Sequence, residues 1–242
     1  MTIKAIVTGH SKGLGEGIAT ALLAQGIPVL GVARGPSMQL TERFPDLLTE
    51  SEVDLSDHAT LSAWMAGSDL HDFVQGAATI LLVNNAGTVQ PVGPLEVQDP
   101  LDVLRAVTLN VAAPLALAAA VVEVRGDADC RILHISSGAG RSAYPGWSVY
   151  CATKAALDRH AEAVALDASE GVRCVSLAPG VIDTGMQGEI RSATSEQFPM
   201  LEKFIAMKED GALQSAEATG ADIVKFLLAD GFGEVPVSDI RG

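Results

Sequence analysis

The sequence predicts an α/β fold, a single doubly wound domain on a parallel sheet of about seven strands. Three observations lead there. Short β-branched runs recur along the chain and are apolar on both faces, the mark of buried parallel strands. Between them lie stretches with apolar residues at three- and four-residue steps, the spacing of helices packed on one side. A chain of 242 residues, 48% apolar and 19% charged, also has the material for one sizeable core. No linker, internal repeat or low-complexity run divides it, so residues 1–242 are read as one domain.

In chain order, strands are expected at Ile3–Val7, Pro28–Ala33, Leu48–Val53, Thr79–Val83, Arg131–Ile135 and Val172–Leu177, with Val235–Val237 as a short last strand. The first helix follows Gly13 and carries Ile18, Leu22 and Leu23. A second carries Leu104, Thr108, Val111, Leu115, Ala118 and Val122. A third carries Leu157, Ala161, Val164, Ala165 and Ala168. Right-handed crossovers then cover both faces of the sheet. Residues 184–214 break this rhythm. They are helical in pattern and richer in Met, Phe and charge, a candidate helical lid before the last helix.

Composition excludes several classes. A formal net charge of -14 repels polyanions and argues against a nucleic-acid partner. The apolar stretch Val111–Val124 is too short to span a bilayer and is interrupted by Pro114, so no membrane partner is expected. Cys130, Cys151 and Cys174 are odd in number and widely spaced. That fits neither a disulfide framework nor a zinc site; no metal is expected, and a reducing cytoplasm is. The first residues run straight into a strand-like segment, with no charged leader before a long apolar run.

The first strand leads into Thr8-Gly9-His10-Ser11-Lys12-Gly13-Leu14-Gly15. Glycines at 9, 13 and 15 allow a tight turn and close approach of the backbone to a pyrophosphate, and the next helix aims its free N–H groups at the same place. Set between a strand and a helix, Gly9, Ser11, Gly13, Leu14 and Gly15 read as a Rossmann-type dinucleotide loop rather than a plain turn. His10 either touches a phosphate or, the favoured expectation, faces solvent. An NAD site places a carboxylate at the end of the second strand; this chain has Ala33 and Arg34. An arginine there pairs with a 2′-phosphate, and Lys12 reaches the same group or is a solvated surface charge. NADP(H) is the expected cofactor. Asp54, after the third strand, either accepts from the adenine amino group or caps a helix, with Ser56 and Asp57 as rival caps.

The reaction centre is read from Ser137 at the end of the fifth strand and from Tyr150 and Lys154. The last two, four apart, share one helical face. A free phenol, with a pKa of about 10, is a poor acid near neutrality. A neighbouring ammonium favours the phenolate, lowers that value and makes proton transfer to a carbonyl oxygen feasible. Ser137 would donate to the same oxygen. Pro114, four residues after Asn110, has no N–H, so the Asn110 carbonyl loses its helical partner and is freed to bind water.

With these motifs in hand, nearly the whole chain resembles the short-chain dehydrogenase/reductase family, in its compact branch. Thr8–Gly15 matches the glycine motif, Asn84-Asn85-Ala86-Gly87 the segment after the fourth strand, and Pro179-Gly180-Val181-Ile182-Asp183-Thr184 the segment that holds the nicotinamide carboxamide. Asn110, Ser137, Tyr150 and Lys154 fall on the catalytic tetrad. The resemblance implies that Tyr150 is the acid, that Lys154 tunes it and holds the nicotinamide ribose, that Ser137 orients the substrate, and that a water links Asn110 to the lysine. It also implies cofactor contacts from Asn84, Ala86, Gly87, Pro179, Gly180, Ile182 and Thr184.

Within the family the chain is most similar to the sepiapterin reductase and bacterial benzil reductase group. Ser136–Gly140, Pro145-Gly146-Trp147, Tyr150-Cys151, Met186-Gln187 and Phe204–Gly211 carry that likeness. The group reduces one carbonyl of a vicinal diketone, often beside a ring. Trp147, Met186, Phe198, Leu201 and Phe204 would supply an apolar wall for such a small-molecule ketone, or else pack the lid. Sepiapterin reductases anchor the pterin on a carboxylate near the C-terminus. Asp239 stands one residue off that position, which favours a diaryl or aryl-alkyl diketone. A homodimer on the two long helices is implied, with a monomer left open. The rival readings are a nucleotide-sugar epimerase, a redox-sensing NADP-binding regulator and a ketoacyl-thioester reductase. They meet a short chain, an intact Tyr–Lys pair and the lack of a basic excess, respectively.

Overall fold

The computed structural model describes residues 2–241. The β-branched runs become β1 (Ile3–Thr8), β2 (Val29–Ala33), β3 (Leu48–Glu52), β4 (Thr79–Asn84), β5 (Asp129–Ile135), β6 (Val172–Ala178) and β7 (Val237–Asp239). They form one sheet in the order β3-β2-β1-β4-β5-β6-β7, and every pairing is parallel. β7 starts where the expected last strand ends. Pro236 has no N–H and contributes only its carbonyl, to Ser176 N at 2.8 Å, so the ladder opens at Ser176–Val237.

The helices are α1 (Gly13–Leu23), α2 (Met38–Arg43), α3 (His58–Met65), α4 (Asp69–Val74), α5 (Pro100–Val107), α6 (Ala113–Val124), α7 (Ser148–Asp167), α8 (Gly185–Arg191), α9 (Leu201–Glu209) and α10 (Ala216–Leu228). One face of the sheet is covered by α1 and α10, through Ile18, Leu22, Ile223 and Leu227. The other carries Leu117 and Val121 of α6 and Ala161 of α7. Ala168, expected in the third helix, instead closes it in the left-handed conformation at φ 50°.

Residues 108–112 form a π turn that joins α5 to α6, and the Ala113 N–H reaches back to Thr108 O. Pro114 sits just beyond, where its missing N–H costs the helix least once the turn has widened. The continuous helix 100–124 is long and apolar enough to cross a membrane by length and composition. The apolar run Val111–Val124 is the second half of this longer helix. Its α6 part is committed to the sheet through buried Ala113, Pro114, Leu117, Ala118 and Val121.

Reversal of strand order around β1 puts the carboxyl ends of β1 and β4 at the switch point, where ligands bind in open α/β sheets. Thr8 rivets that point. Its Oγ1 accepts from Asn85 N and Ala86 N, both at 3.0 Å, while Asn85 Nδ2 donates to Thr8 O at 3.0 Å. A third apolar cluster lies over the same edge. Phe198, Leu201 and Phe204 of the 184–214 segment pack there with Trp147, Tyr150, Val89 and Ile190.

Candidate active site

A cavity of about 1170 Å³ runs along the carboxyl edge of the sheet. Gly9, Ser11, Lys12, Gly13 and Leu14 line one end. Gly15 lies beneath, with no room for a side chain: a Cβ there would come 2.2 Å from Gly9 O. Gly9 and Gly13 take positive φ, 68° and 60°. The turn is thus built as its sequence requires, and it delivers the α1 N-terminus to the cavity.

Arg34 and Asp54 line the cavity beyond this turn. Arg34 and Lys12 are exposed, and neither has a carboxylate partner among the described residues. The loop after Arg34 is anchored by Glu50, which accepts from Ser37 N at 2.8 Å and Thr41 Oγ1 at 2.7 Å. These hydrogen bonds, with that from His10, outweigh desolvation and hold the Glu50 carboxyl below its usual range. Asp54 does not cap a helix. It accepts from Ser56 N and Oγ at 2.9 and 2.6 Å, while Asp57 caps α3 through Thr60 N. His10 corrects the solvent-facing expectation. It is 1% exposed, its Nε2 meets Glu50 Oε1 at 2.5 Å, and its ring fills the space a side chain on Gly31 would occupy.

At the other end, Ser137, Tyr150 and Lys154 face the same cavity. Burial pushes the Tyr150 phenol up to about 12, opposed by the Ser137 hydroxyl beside it. That reverses the direction expected from an adjacent ammonium. Lys154 Nζ donates to Ile135 O at 2.8 Å and lies 5.6 Å from the centre of the Tyr150 ring, and burial lowers its own pKa to about 8. Desolvation dominates both groups because both are almost wholly buried.

Asn110 is buried behind the cavity wall. Its Oδ1 accepts from Thr88 N at 2.9 Å, and its Nδ2 donates to Thr88 O at 2.8 Å and Thr153 Oγ1 at 3.2 Å. Gly87 separates it from the cavity: a Cβ there would lie 3.2 Å from Asn110 Oδ1 and 3.7 Å from Lys154 Nζ. Asn84, expected at the cofactor, also lies behind the wall. Its Nδ2 donates to Pro114 O at 3.3 Å and meets His134 Nδ1 at 3.2 Å. His134 in turn meets His160, and Cys174 Sγ lies within 4.8 Å of both, a polar cluster that spacing alone had not brought together.

Ala86, Gly87, Pro179, Gly180, Ile182 and Thr184 line the cavity, and so do Trp147, Met186 and Phe204. Phe198 and Leu201 do not. Phe198 stacks on Trp147 at 4.5 Å and 16°, so it backs the wall rather than forming it. Sequence reasoning missed other lining residues, among them Thr88, Tyr144, Met207 and Arg241. Met207 is legible in hindsight, one helical turn past Phe204. Asp239, the nearest carboxylate to the expected pterin anchor, is not a lining residue; it is held by Arg241.

A doubly wound parallel sheet with a glycine turn at its switch point defines a dinucleotide-binding α/β protein. The short chain dehydrogenase model matches residues 4–195, and the chain belongs to that family of oxidoreductases. It is 36% identical over 240 residues to the benzil reductase ((S)-benzoin forming) of Bacillus cereus, covering 95% of this chain and 96% of that protein. It is 31% identical to the sepiapterin reductase of Mus musculus, covering 94% and 92%. The crystal structure of a short-chain dehydrogenase/reductase from Burkholderia vietnamiensis superposes with a TM-score of 0.73 at 47% identity, covering 99% of this chain and 97% of that one.

Proposed function

We propose that the chain is an NADPH-dependent carbonyl reductase acting on one ketone of a small aromatic vicinal diketone. The observation that carries this reading is a single cavity with unpaired Arg34 and Lys12 at one end and Tyr150 with Ser137 at the other. The residues fit a phosphorylated dinucleotide. A Cβ would fill the cradle at Gly15, and the expected ribose position holds an exposed cation with no carboxylate after β2. When bound, the reduced nicotinamide supplies the hydride.

The chain's own residues handle orientation and the proton. Ser137 Oγ–H donates to the ketone oxygen and fixes its place. Tyr150 Oη gives that oxygen its proton; a phenol at about 12 is fully loaded at neutral pH. Lys154 is mostly ammonium at pH 7, and its charge offsets the phenolate left behind. Asn110, locked on Thr88 and Thr153, holds the route by which the proton is replaced. Trp147, Met186 and Phe204 form the apolar wall for the aryl group, and 184–214 is its lid. Exposed Leu101, Leu104, Val107 and Leu166 on the long helices support a homodimer, and the cytoplasm is the proposed location.

The test follows NADPH absorbance with benzil, 1-phenyl-1,2-propanedione, sepiapterin and a ketoacyl thioester. Faster turnover of the two diones is expected. A preference for the thioester, or for NADH over NADPH, overturns the reading.

A further inference from the structure

We infer that Arg241 forms a hydrogen-bond-donating subsite at the substrate end of the cavity, one that takes an acceptor oxygen, such as a carboxylate, at the far end of the ketone substrate. This rests on the carbonyl reductase reading above.

Three placements carry it. Arg241 lines the cavity, whereas its neighbour Asp239 does not. Asp239 is turned to its neighbour: Oδ1 accepts from Arg241 N at 3.0 Å and Nε at 2.8 Å, and Oδ2 accepts from Nη2 at 2.7 Å. The carboxylate is therefore committed to the guanidinium and has little capacity left for donors on a substrate. The guanidinium keeps Nη1 and one Nη2 hydrogen for an incoming oxygen, because five donors in a rigid fork exceed what Asp239 uses.

The pair is also placed where a substrate would extend. The Arg241 side chain runs over Gly180, where a Cβ would lie 3.7 Å from its Cδ. Tyr144 is close enough to influence it electrostatically and lines the same cavity. From Tyr144 the wall continues through Trp147, ring centres 5.6 Å apart, to Tyr150, 5.3 Å further. An aryl ketone placed on Tyr150 thus lies along an aromatic wall that ends at Arg241. Asp239 orients the fork rather than binding substrate. Its carboxyl is held down to about 2, chiefly by the Arg241 hydrogen bonds, so the pair persists at any working pH.

The polarity of this subsite is open to measurement. The probes are 1-phenyl-1,2-propanedione and its para-carboxylate and para-aminomethyl derivatives, assayed with NADPH on the wild type, Arg241→Met and Asp239→Asn. Wild type should favour the carboxylate over the aminomethyl compound at least tenfold in kcat/KM. Arg241→Met should abolish or reverse that preference, since it frees Asp239, while the parent dione changes less than threefold. Asp239→Asn should keep the sign of the preference at smaller size. A preference absent in the wild type, or undiminished in Arg241→Met, overturns the subsite. So does a tenfold loss of NADPH affinity with the preference unchanged, which would give Arg241 to the cofactor. If the wild type reduces none of the three diones, the reductase reading itself falls.

Discussion

Lys154 Nζ stands 5.6 Å from the centre of the Tyr150 ring, with one of its hydrogens committed to Ile135 O at 2.8 Å. Burial lowers Lys154 to about 8 and raises Tyr150 to about 12, so between these values only the lysine titrates. Below pH 8 the ammonium is present beside the phenol; above it the charge is lost. We expect kcat/KM for ketone reduction to fall as pH rises through about 8. Stability has the opposite slope. Between about 8 and the lysine's ordinary 10.5 the unfolded chain keeps a proton that the folded chain has released, so rising pH favours folding there. A pH–rate profile run beside urea melts therefore separates loss of charge from loss of fold. A profile flat to pH 9.5 would mean that the Lys154 ammonium either persists to that pH or is not needed for turnover.

Tyr150→Phe removes only the phenolic oxygen and leaves the ring packed against Trp147 at 5.3 Å. A positioned acid contributes about 10²–10⁴-fold in rate, so turnover should drop by at least about 100-fold. NADPH binding, followed by fluorescence titration, should stay within about twofold. Retained turnover would be incompatible with the assignment of Tyr150 as acid.

Strand positions and the Tyr–Lys face were legible because each depends on residues close in sequence. What was hidden depends on partners far along the chain. His10 looked like a surface residue because nothing near it announces Glu50, 40 positions away, or the bare backbone of Gly31 beneath its ring. Asn84 and Asn85 are adjacent and alike in type. Strand alternation sends Asn84 to Pro114 and His134 behind the wall, and the next residue turns to Thr8 and the cavity. Phe198 carried the right chemistry for a substrate wall, but its stacking on Trp147 puts it one layer back. The sign of the Tyr150 shift was missed for another reason: sequence reveals a neighbouring charge more readily than the depth of burial that opposes it.

Arg34→Ala tests cofactor choice. Arg34 is exposed at the cavity lip and has no carboxylate partner among the described residues. A hydrogen bond to a charged group is worth roughly 1.5–3 kcal/mol, so KM for NADPH should rise about 10- to 100-fold. NADH has no 2′-phosphate, and its KM should move less than about threefold. Equal losses for the two cofactors would show that Arg34 acts on the fold of its loop instead.

Gly220→Ala probes the helix pair beneath the glycine turn. Gly17 of α1 and Gly220 of α10 cross backbone to backbone. A Cβ on Gly220 would lie 2.4 Å from Gly17 C and 2.7 Å from Ile18 N, and neither contact is a side chain that can swing aside. Overpacking of this kind costs ~1–3 kcal/mol, which for a domain of this size lowers Tm by roughly 2–12 °C. Since α1 presents its N-terminus to the cavity, NADPH affinity should weaken along with it. Gly188→Ala is the control: it sits inside α8 with nothing within 4 Å of its added methyl. There the helix gains up to about 1 kcal/mol from the substitution. Equal melting temperatures for the two variants would mean that the α1–α10 crossing has slack and that the glycine turn does not depend on it.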